Sequence, residues 1–181
     1  MQKIITFLHI LLLSNLVSGQ HTERFEKIVS GKLPSRTQQV NKKFKNGQQK
    51  ELGKIAVYEH NGYEYSFYVG KWTNYYKSGQ VMTDVDYDNF GNPILWKLYD
   101  GKGNLLRESK VVKIDSNSKD FEQFLEDKNS TDILTEEKKY KYTFKACKWF
   151  LASKGQMRNY KKIGEWTKYY DEGRIKKVVQ Y

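Results

Sequence analysis

Cysteine, proline and histidine are scarce in this sequence of 181 residues, which has one, two and three of them. A lone cysteine, Cys147, cannot pair within the chain, so packing and strand pairing must hold the fold together. With only Pro34 and Pro93, little interrupts strand pairing. A zinc site built on His and Cys, or a Cys-His catalytic pair, is not expected. We therefore predict no metal, no cofactor and no catalytic residue.

Long apolar runs are lacking too, except at the N-terminus. The first twenty residues, MQKIITFLHILLLSNLVSGQ, have a basic start at Lys3, an apolar run from Ile4 to Leu13 and a tail that ends in small residues. This is the layout of a secretory signal, and the run is shorter than the roughly 20 residues of a membrane-spanning helix. We predict that residues 1–19 are removed from an exported protein without a transmembrane segment, which acts in the periplasm, at the cell surface or in the medium.

Acidic residues are outnumbered, since 32 Lys and Arg stand against 21 Asp and Glu, a formal net charge of +11. Such a surplus attracts anionic partners but does not identify them. Basic residues interleaved with aromatic ones, as in residues 138–149, are also able to stack on bases and contact phosphates. Export removes most nucleic acid from reach, so we expect a protein or an anionic envelope surface as the partner, and not nucleic acid.

Glycine is placed at regular, turn-like positions along the chain. It adopts the positive φ of tight turns at no steric cost, and Asn-Gly between extended runs is a strong hairpin signal. The positions predicted as turns are Gly47, Gly62, Gly79, Gly91, Gly103, Gly155 and Gly173. Between them, side chains alternate with a period of two in residues 63–69, 81–87 and 139–146, which predicts half-buried strands. In the last of these, the predicted interior face is Tyr140, Tyr142, Phe144 and Ala146.

Two segments have the pattern of short helices. Residues 22–29 place Phe25, Ile28 and Val29 on one side, with Gly31 as a stop. Residues 118–128 have Asp120 as a capping residue, followed by a stripe of apolar side chains. The second segment lies in a polar stretch that separates two sets of predicted strands.

One phrase of twelve residues occurs twice, as GKWTNYYKSGQV at 70–81 and GEWTKYYDEGRI at 164–175, and six of the twelve positions are identical. A degenerate copy lies 24 residues after the first and keeps Trp96, Tyr99 and Gly103. A fixed interval with two turns per period predicts successive hairpins in a meander. Large rings stacked along such a sheet bury much area, so we predict a structural role for Gly70, Trp72, Tyr76, Gly79, Trp96, Gly103, Gly164, Trp166, Tyr170 and Gly173.

The phrase resembles MORN-type repeats (membrane occupation and recognition nexus), particularly the variant of exported and antitoxin-labelled bacterial proteins, with copies like G-x-W-x-x-Y-Y-x-x-G-x. The full copies match it at Gly70, Trp72, Tyr75, Tyr76 and Gly79, and at Gly164, Trp166, Tyr169, Tyr170 and Gly173. The middle copy departs from it, with Asn92 and Asp100 in place of glycine and tyrosine. The resemblance covers residues 41–110 and 139–181. It implies a hairpin array that acts as a scaffold or adaptor, but no ligand, because family members bind proteins or lipid headgroups in different cases.

The predicted fold is mainly β, an antiparallel meander of β-hairpin repeats in an elongated sheet, with a short helix in an insertion. The predicted organisation is a signal at 1–19, an N-terminal segment at 20–40, a first repeat block at 41–114, a polar insertion at 115–138 and a second block at 139–181.

The leading hypothesis is a non-catalytic exported binding or scaffold protein. Its predicted binding residues are Tyr75, Tyr99 and Tyr169 with the neighbouring Lys71, Lys97 and Lys168. A second hypothesis, taken from the family labels, is an immunity or antitoxin-like protein that neutralises a toxin. A third is an envelope hydrolase with carboxylates that are distant in the chain, which would require a deep cleft with paired Asp or Glu.

Overall fold

A computed structural model describes residues 20–127 and 130–181; the predicted signal at 1–19 lies outside this range. Ten strands form one antiparallel sheet in which each strand pairs with its neighbours in the sequence. They are β1 (Arg36–Lys43), β2 (Gln49–His60), β3 (Tyr63–Tyr75), β4 (Val81–Tyr87), β5 (Pro93–Tyr99), β6 (Leu105–Ser116), β7 (Thr131–Thr143), β8 (Lys148–Arg158), β9 (Lys161–Tyr169) and β10 (Ile175–Gln180). The predicted antiparallel meander is confirmed.

The turns of the repeat copies share one geometry. In each copy the glycine has a φ between 84° and 89°, and its N–H donates to the carbonyl three residues earlier, as from Gly79 to Tyr76 and from Gly173 to Tyr170. A side chain at this φ would be strained, which explains the recurring glycine. One predicted turn is wrong, because Gly155 lies inside β8. The chain reverses after β8 at Asn159 and Tyr160, which adopt φ values of 48° and 66° although neither is glycine.

Two short helices pack against the sheet and supply the hydrophobic core. Helix α1 spans Glu23–Val29 and α2 spans Phe121–Glu126, and their N-caps Thr22 and Asp120 accept hydrogen bonds from the backbone N–H three residues on. Both predicted helices are thus present. Side chains of both helices meet apolar side chains of the sheet and of the turn between β4 and β5 in one cluster: Phe25, Ile28, Val29, Ala56, Tyr58, Val69, Phe90, Val111, Ile114, Phe121, Phe124 and Leu125.

The segment before α1 is joined to the sheet by hydrogen bonds. Backbone bonds connect it to Ile114, and the ring of His21 lies between the carboxylates of Glu26, at 3.0 Å, and Asp88, at 3.1 Å. Burial lowers the pKa of His21, but hydrogen bonds and attraction from Asp88 and Glu26 outweigh this effect, so the pKa is raised. A protonated ring donates to both carboxylates at once.

Two predictions about the second half of the chain are corrected. Strand β7 ends at Thr143, and residues 144–147 form the turn to β8, so Phe144 is 87% exposed and the interior face predicted for residues 140–146 is wrong. The connection that carries α2 joins β7 at its first residue, Thr131, and not at the end that leads into this turn. The predicted polar insertion is also shorter than residues 115–138, because β6 continues to Ser116 and β7 begins at Thr131.

Candidate functional site

A row of directly paired residues crosses six strands near the middle of the sheet. Residues that face each other in antiparallel strands place their side chains next to one another on the same face. From β3 to β8 the row is Trp72, Val85, Trp96, Ser109, Glu137 and Gly155. The tryptophan of the first copy and that of the degenerate copy are therefore aligned, with one valine between them.

The tryptophans of the two full copies each cover a glycine of the preceding strand. A Cβ on Gly53 would lie 2.0 Å from the ring of Trp72, and one on Gly155 would lie 2.4 Å from the ring of Trp166. Only a residue without a side chain permits this approach. The two rings are almost fully buried, at 3% and 2% exposure. Neither glycine was predicted to pack in this way, although glycine inside a strand pattern is a known sign of a close approach.

The first glycine of the repeat has a different role. Gly70 and Gly164 lie inside β3 and β9, but their φ values are 62° and 58°. At the first of them, residues 70–72 of β3 lie opposite Gly53 alone in β2, which is a bulge. The first glycine of each full copy therefore allows the backbone to adopt a left-handed conformation two residues before the buried tryptophan.

The degenerate copy leaves a cleft. Trp96 is only half-buried, no glycine of the described chain lies under it, and the guanidinium of Arg107 lies 5.2 Å from its ring centroid. A cleft of about 280 Å³ opens at this point, and its walls include Tyr87, Trp96, Arg107, Glu137, Met157 and Tyr160.

Glu137 is the one carboxylate in the lining of this cleft, and its side chain is fully buried. Arg107 donates a hydrogen bond to its Oε2, and Nζ of Lys139 lies 3.3 Å from its Oε1. A buried charge destabilises the fold unless it is paired. The two cations therefore offset the cost of burying the Glu137 carboxylate. Nζ of Lys139 also lies 6.0 Å from the ring centroid of Trp166. The ion pairs of Glu137 therefore link the tryptophan of the degenerate copy, through Arg107, with the tryptophan of the second full copy, through Lys139. The cleft does not supply the paired carboxylates of the hydrolase hypothesis.

The six predicted binding residues do not form one pocket. Tyr75, Tyr99 and Tyr169 are each the last residue of their strand, on β3, β5 and β9, and each is half-buried. Lys71 pairs with Asp84 at 3.1 Å and Lys97 lies 3.9 Å from Glu108, whereas Lys168 forms no ion pair within the described residues. The second tyrosine of the first copy has a structural contact, since the hydroxyl of Tyr76 donates to the carbonyl of Tyr99 at 2.8 Å.

The net charge is concentrated at one end of the sheet. Residues 139–181 contain twelve Lys and Arg against three Asp and Glu, so this quarter of the chain carries +9 of the total +11. We call the surface of β9, β10 and the turn between them the basic edge. Its exposed lysines include Lys161, Lys168 and Lys177, none of which pairs with a carboxylate in the part of the chain that the structure describes. The prediction of binding residues missed this asymmetry, although counting charges along the sequence reveals it.

The positive potential of the basic edge acts on a neighbouring group. Nζ of Lys162 donates to the hydroxyl of Tyr181 at 3.0 Å, and its charge also lies 4.5 Å from the tyrosine ring centroid. This hydrogen bond, together with the charges of Lys162, Lys168 and Lys177, lowers the pKa of Tyr181. The anionic form of Tyr181 is therefore stabilised relative to that of an isolated tyrosine.

Residues 20–127 and 130–181 contain no cluster of three or more His, Cys, Asp or Glu that could hold a metal ion. Among the same residues, no helix has the length and apolar character needed to cross a membrane. Comparison with models of protein families, with curated proteins and with solved structures gave no match.

Proposed function

We propose that this is a non-catalytic, exported β-repeat protein that binds an anionic protein or envelope component through its basic edge. The observation that carries the proposal is that Lys161, Lys168 and Lys177 of the basic edge are exposed without a carboxylate partner among the described residues, next to residues 139–160, which contain six Lys and Arg and no acidic residue. Unpaired surface charges of one sign create a potential that attracts and orients a partner of opposite sign. The similarity of the repeats to MORN-type scaffolds and the predicted export signal support the same function.

The other edge of the sheet has a different charge arrangement. Near β1, Arg36 forms a bidentate pair with Glu64, and Lys42 lies 2.8 Å from Glu51. These two cations are neutralised within the chain, whereas Lys43, Lys45 and Lys54 of the same region are exposed and form no ion pair among the described residues. The contrast that supports the basic edge lies in the strands beside it: residues 139–160 add six Lys and Arg and no acidic residue, whereas β3, beside β1 and β2, contains one Lys and one Glu.

Two triple variants with the same change in net charge test the proposal. Lys161, Lys168 and Lys177 are replaced by Glu in one variant, and the exposed Lys43, Lys45 and Lys54 are replaced by Glu in the control. Binding to polyglutamate, to vesicles that contain phosphatidylglycerol and to polygalacturonate is measured at low and high salt.

We expect the wild type to bind at least one of these probes at low salt and to release it at high salt, because salt screens exposed charges. The basic-edge variant should lose this binding, and the control should retain most of it. Equal losses in both variants would show that overall charge alone drives binding. That result, or no binding to any probe at low salt, would contradict the proposal.

A further inference from the structure

The last strand of the sheet is open along one side. Strand β10 pairs with β9 only, and no strand of the described residues lies beyond it. An edge strand presents unpaired N–H and C=O groups to which a further strand is able to bind. The N–H of Tyr181 donates to the carbonyl of Gly164 on β9. Since the backbone groups of a strand point alternately to its two sides, those of Val178 and Gln180 are directed outward.

The side chains of β10 do not prevent such pairing. Proteins often protect an edge strand with charged side chains, above all lysine, or with proline, a covering segment or a very short length. Lys176 and Lys177 of β10 oppose pairing with a basic strand but not with an acidic one. Strand β10 contains no proline, spans six residues, and leaves Ile175 and Val178 exposed at 61% and 46%. A partly apolar strand with an open backbone is therefore accessible to an extended peptide.

Charge decides which kind of peptide fits. Lys176 and Lys177 lie on β10, and Lys161 and Lys168 lie on the neighbouring strand β9. A strand added to β10 would place its side chains opposite those of Lys176 and Lys177, about 4.5–5.5 Å apart at Cβ, where like charges repel and opposite charges attract. The lysines of β9 lie one strand further away and add to the positive potential. A second copy of this chain would bring the same basic edge, and this disfavours an edge-to-edge dimer. An acidic strand finds lysines without carboxylate partners.

We infer that β10 binds an extended acidic segment of a partner protein as an eleventh antiparallel strand. Main-chain hydrogen bonds to the outward groups of β10 would hold the segment, and acidic side chains opposite the lysines would select it. This inference rests on the proposed function and adds the class of partner and the mode of binding. Apolar side chains that alternate with the acidic ones would cover Ile175 and Val178.

The test uses a labelled ten-residue peptide of alternating Glu and Val, with an alternating Lys and Val peptide as its counterpart. Binding to the purified protein is measured by fluorescence anisotropy. Val178→Pro removes an outward N–H and leaves the N–H groups that face β9 in place, so proline is tolerable at this edge position. Val178→Thr keeps the N–H and the branched side chain, and it serves as the matched variant. Amide hydrogen exchange of the wild type is followed with and without the acidic peptide.

We expect the acidic peptide to bind and the basic one not to bind. Val178→Pro should weaken binding at least tenfold, Val178→Thr should change it less than threefold, and the amides of Val178 and Gln180 should become protected in the complex. If Val178→Pro fails to fold, as judged by circular dichroism, the exchange of the wild-type amides decides alone. Unchanged exchange at β10, or a folded Val178→Pro variant with wild-type affinity, would overturn strand addition.

The outcomes separate the two levels of the proposal. If the peptide does not bind but vesicles or polygalacturonate bind through the basic-edge lysines, strand addition is wrong and the proposed function stands. If none of the probes binds, both are wrong.

Discussion

Replacing Gly53 by alanine should destabilise the fold through one contact, the approach of Trp72 to the backbone of β2. The added Cβ would lie 2.0 Å from Cε3 of the ring, whereas carbon atoms in favourable contact are about 3.5–4.0 Å apart. The ring would have to move by about 1.5 Å or more. It is 3% exposed, and the ring of Tyr68 has its centroid 4.1 Å away, so there is little room for this movement.

The expected loss in the free energy of unfolding lies between the costs of two better-known kinds of core substitution. Inserting a carbon into a packed core costs about 1–3 kcal/mol, and removing a buried aromatic side chain completely costs about 3–5 kcal/mol. We expect a decrease of about 2–4 kcal/mol in the free energy of unfolding, since a displaced ring loses part of its contacts. For a chain of this length that corresponds to a decrease in Tm of about 4–16 °C. Urea denaturation followed by far-ultraviolet circular dichroism measures the free energy.

Two further variants identify the cause. A Cβ on Gly101 would meet no atom within 4 Å, so Gly101→Ala is the control and should stay within about 0.5 kcal/mol of the wild type. In a Trp72→Leu background, Gly53→Ala should cost clearly less than it does alone, because residues in contact have coupled effects. Equal stability of Gly53→Ala and Gly101→Ala, or strict additivity with Trp72→Leu, would refute the reasoning.

Two other predictions concern charged groups. Because the folded state raises the pKa of His21, its protonated ring stabilises the protein below its unfolded pKa of about 6.5, and this contribution is lost as the pH rises through the folded pKa. His21→Gln should therefore lower the urea midpoint more at pH ~5.5 than at pH ~8.5; an equal decrease at both would contradict this. Arg107→Met should cost roughly 3 kcal/mol by leaving the buried Glu137 with fewer cationic partners, and Glu137→Leu added to it should restore much of the urea midpoint. If the double variant is no more stable than Arg107→Met alone, the pairing argument fails.

Local signals in the sequence were sufficient for the order and direction of the strands. Glycine at Gly79, Gly103 and Gly173 determines where the chain reverses, because few other residues adopt the required φ. The capping residue Asp120 and the apolar stripe after it likewise predict helix α2 from neighbours in the chain. These features depend on residues a few positions apart, and so they are readable without the fold.

Features that depend on contacts between strands and helices were not predictable in the same way. Gly155 has the local pattern of a turn, yet it lies inside β8, where its missing side chain leaves room for the ring of Trp166. Phe144 has the alternation of a buried position, yet it lies in the exposed turn between β7 and β8. Glu137 has nothing in its local sequence that marks it as a fully buried carboxylate beside Arg107 of another strand.

The amino-acid sequence by itself determined a basic, disulfide-free meander with repeated turns, since composition, period and turn chemistry are local properties. The tertiary structure decided which rings are buried, which cations meet a carboxylate and which lysines remain unpaired. Those outcomes depend on strand register and on the position of two short helices, which bring together residues that lie on different strands and helices. Burial and ion pairing are properties of that proximity, and for this reason the basic edge of β9 and β10 became identifiable as a surface only in the folded sheet.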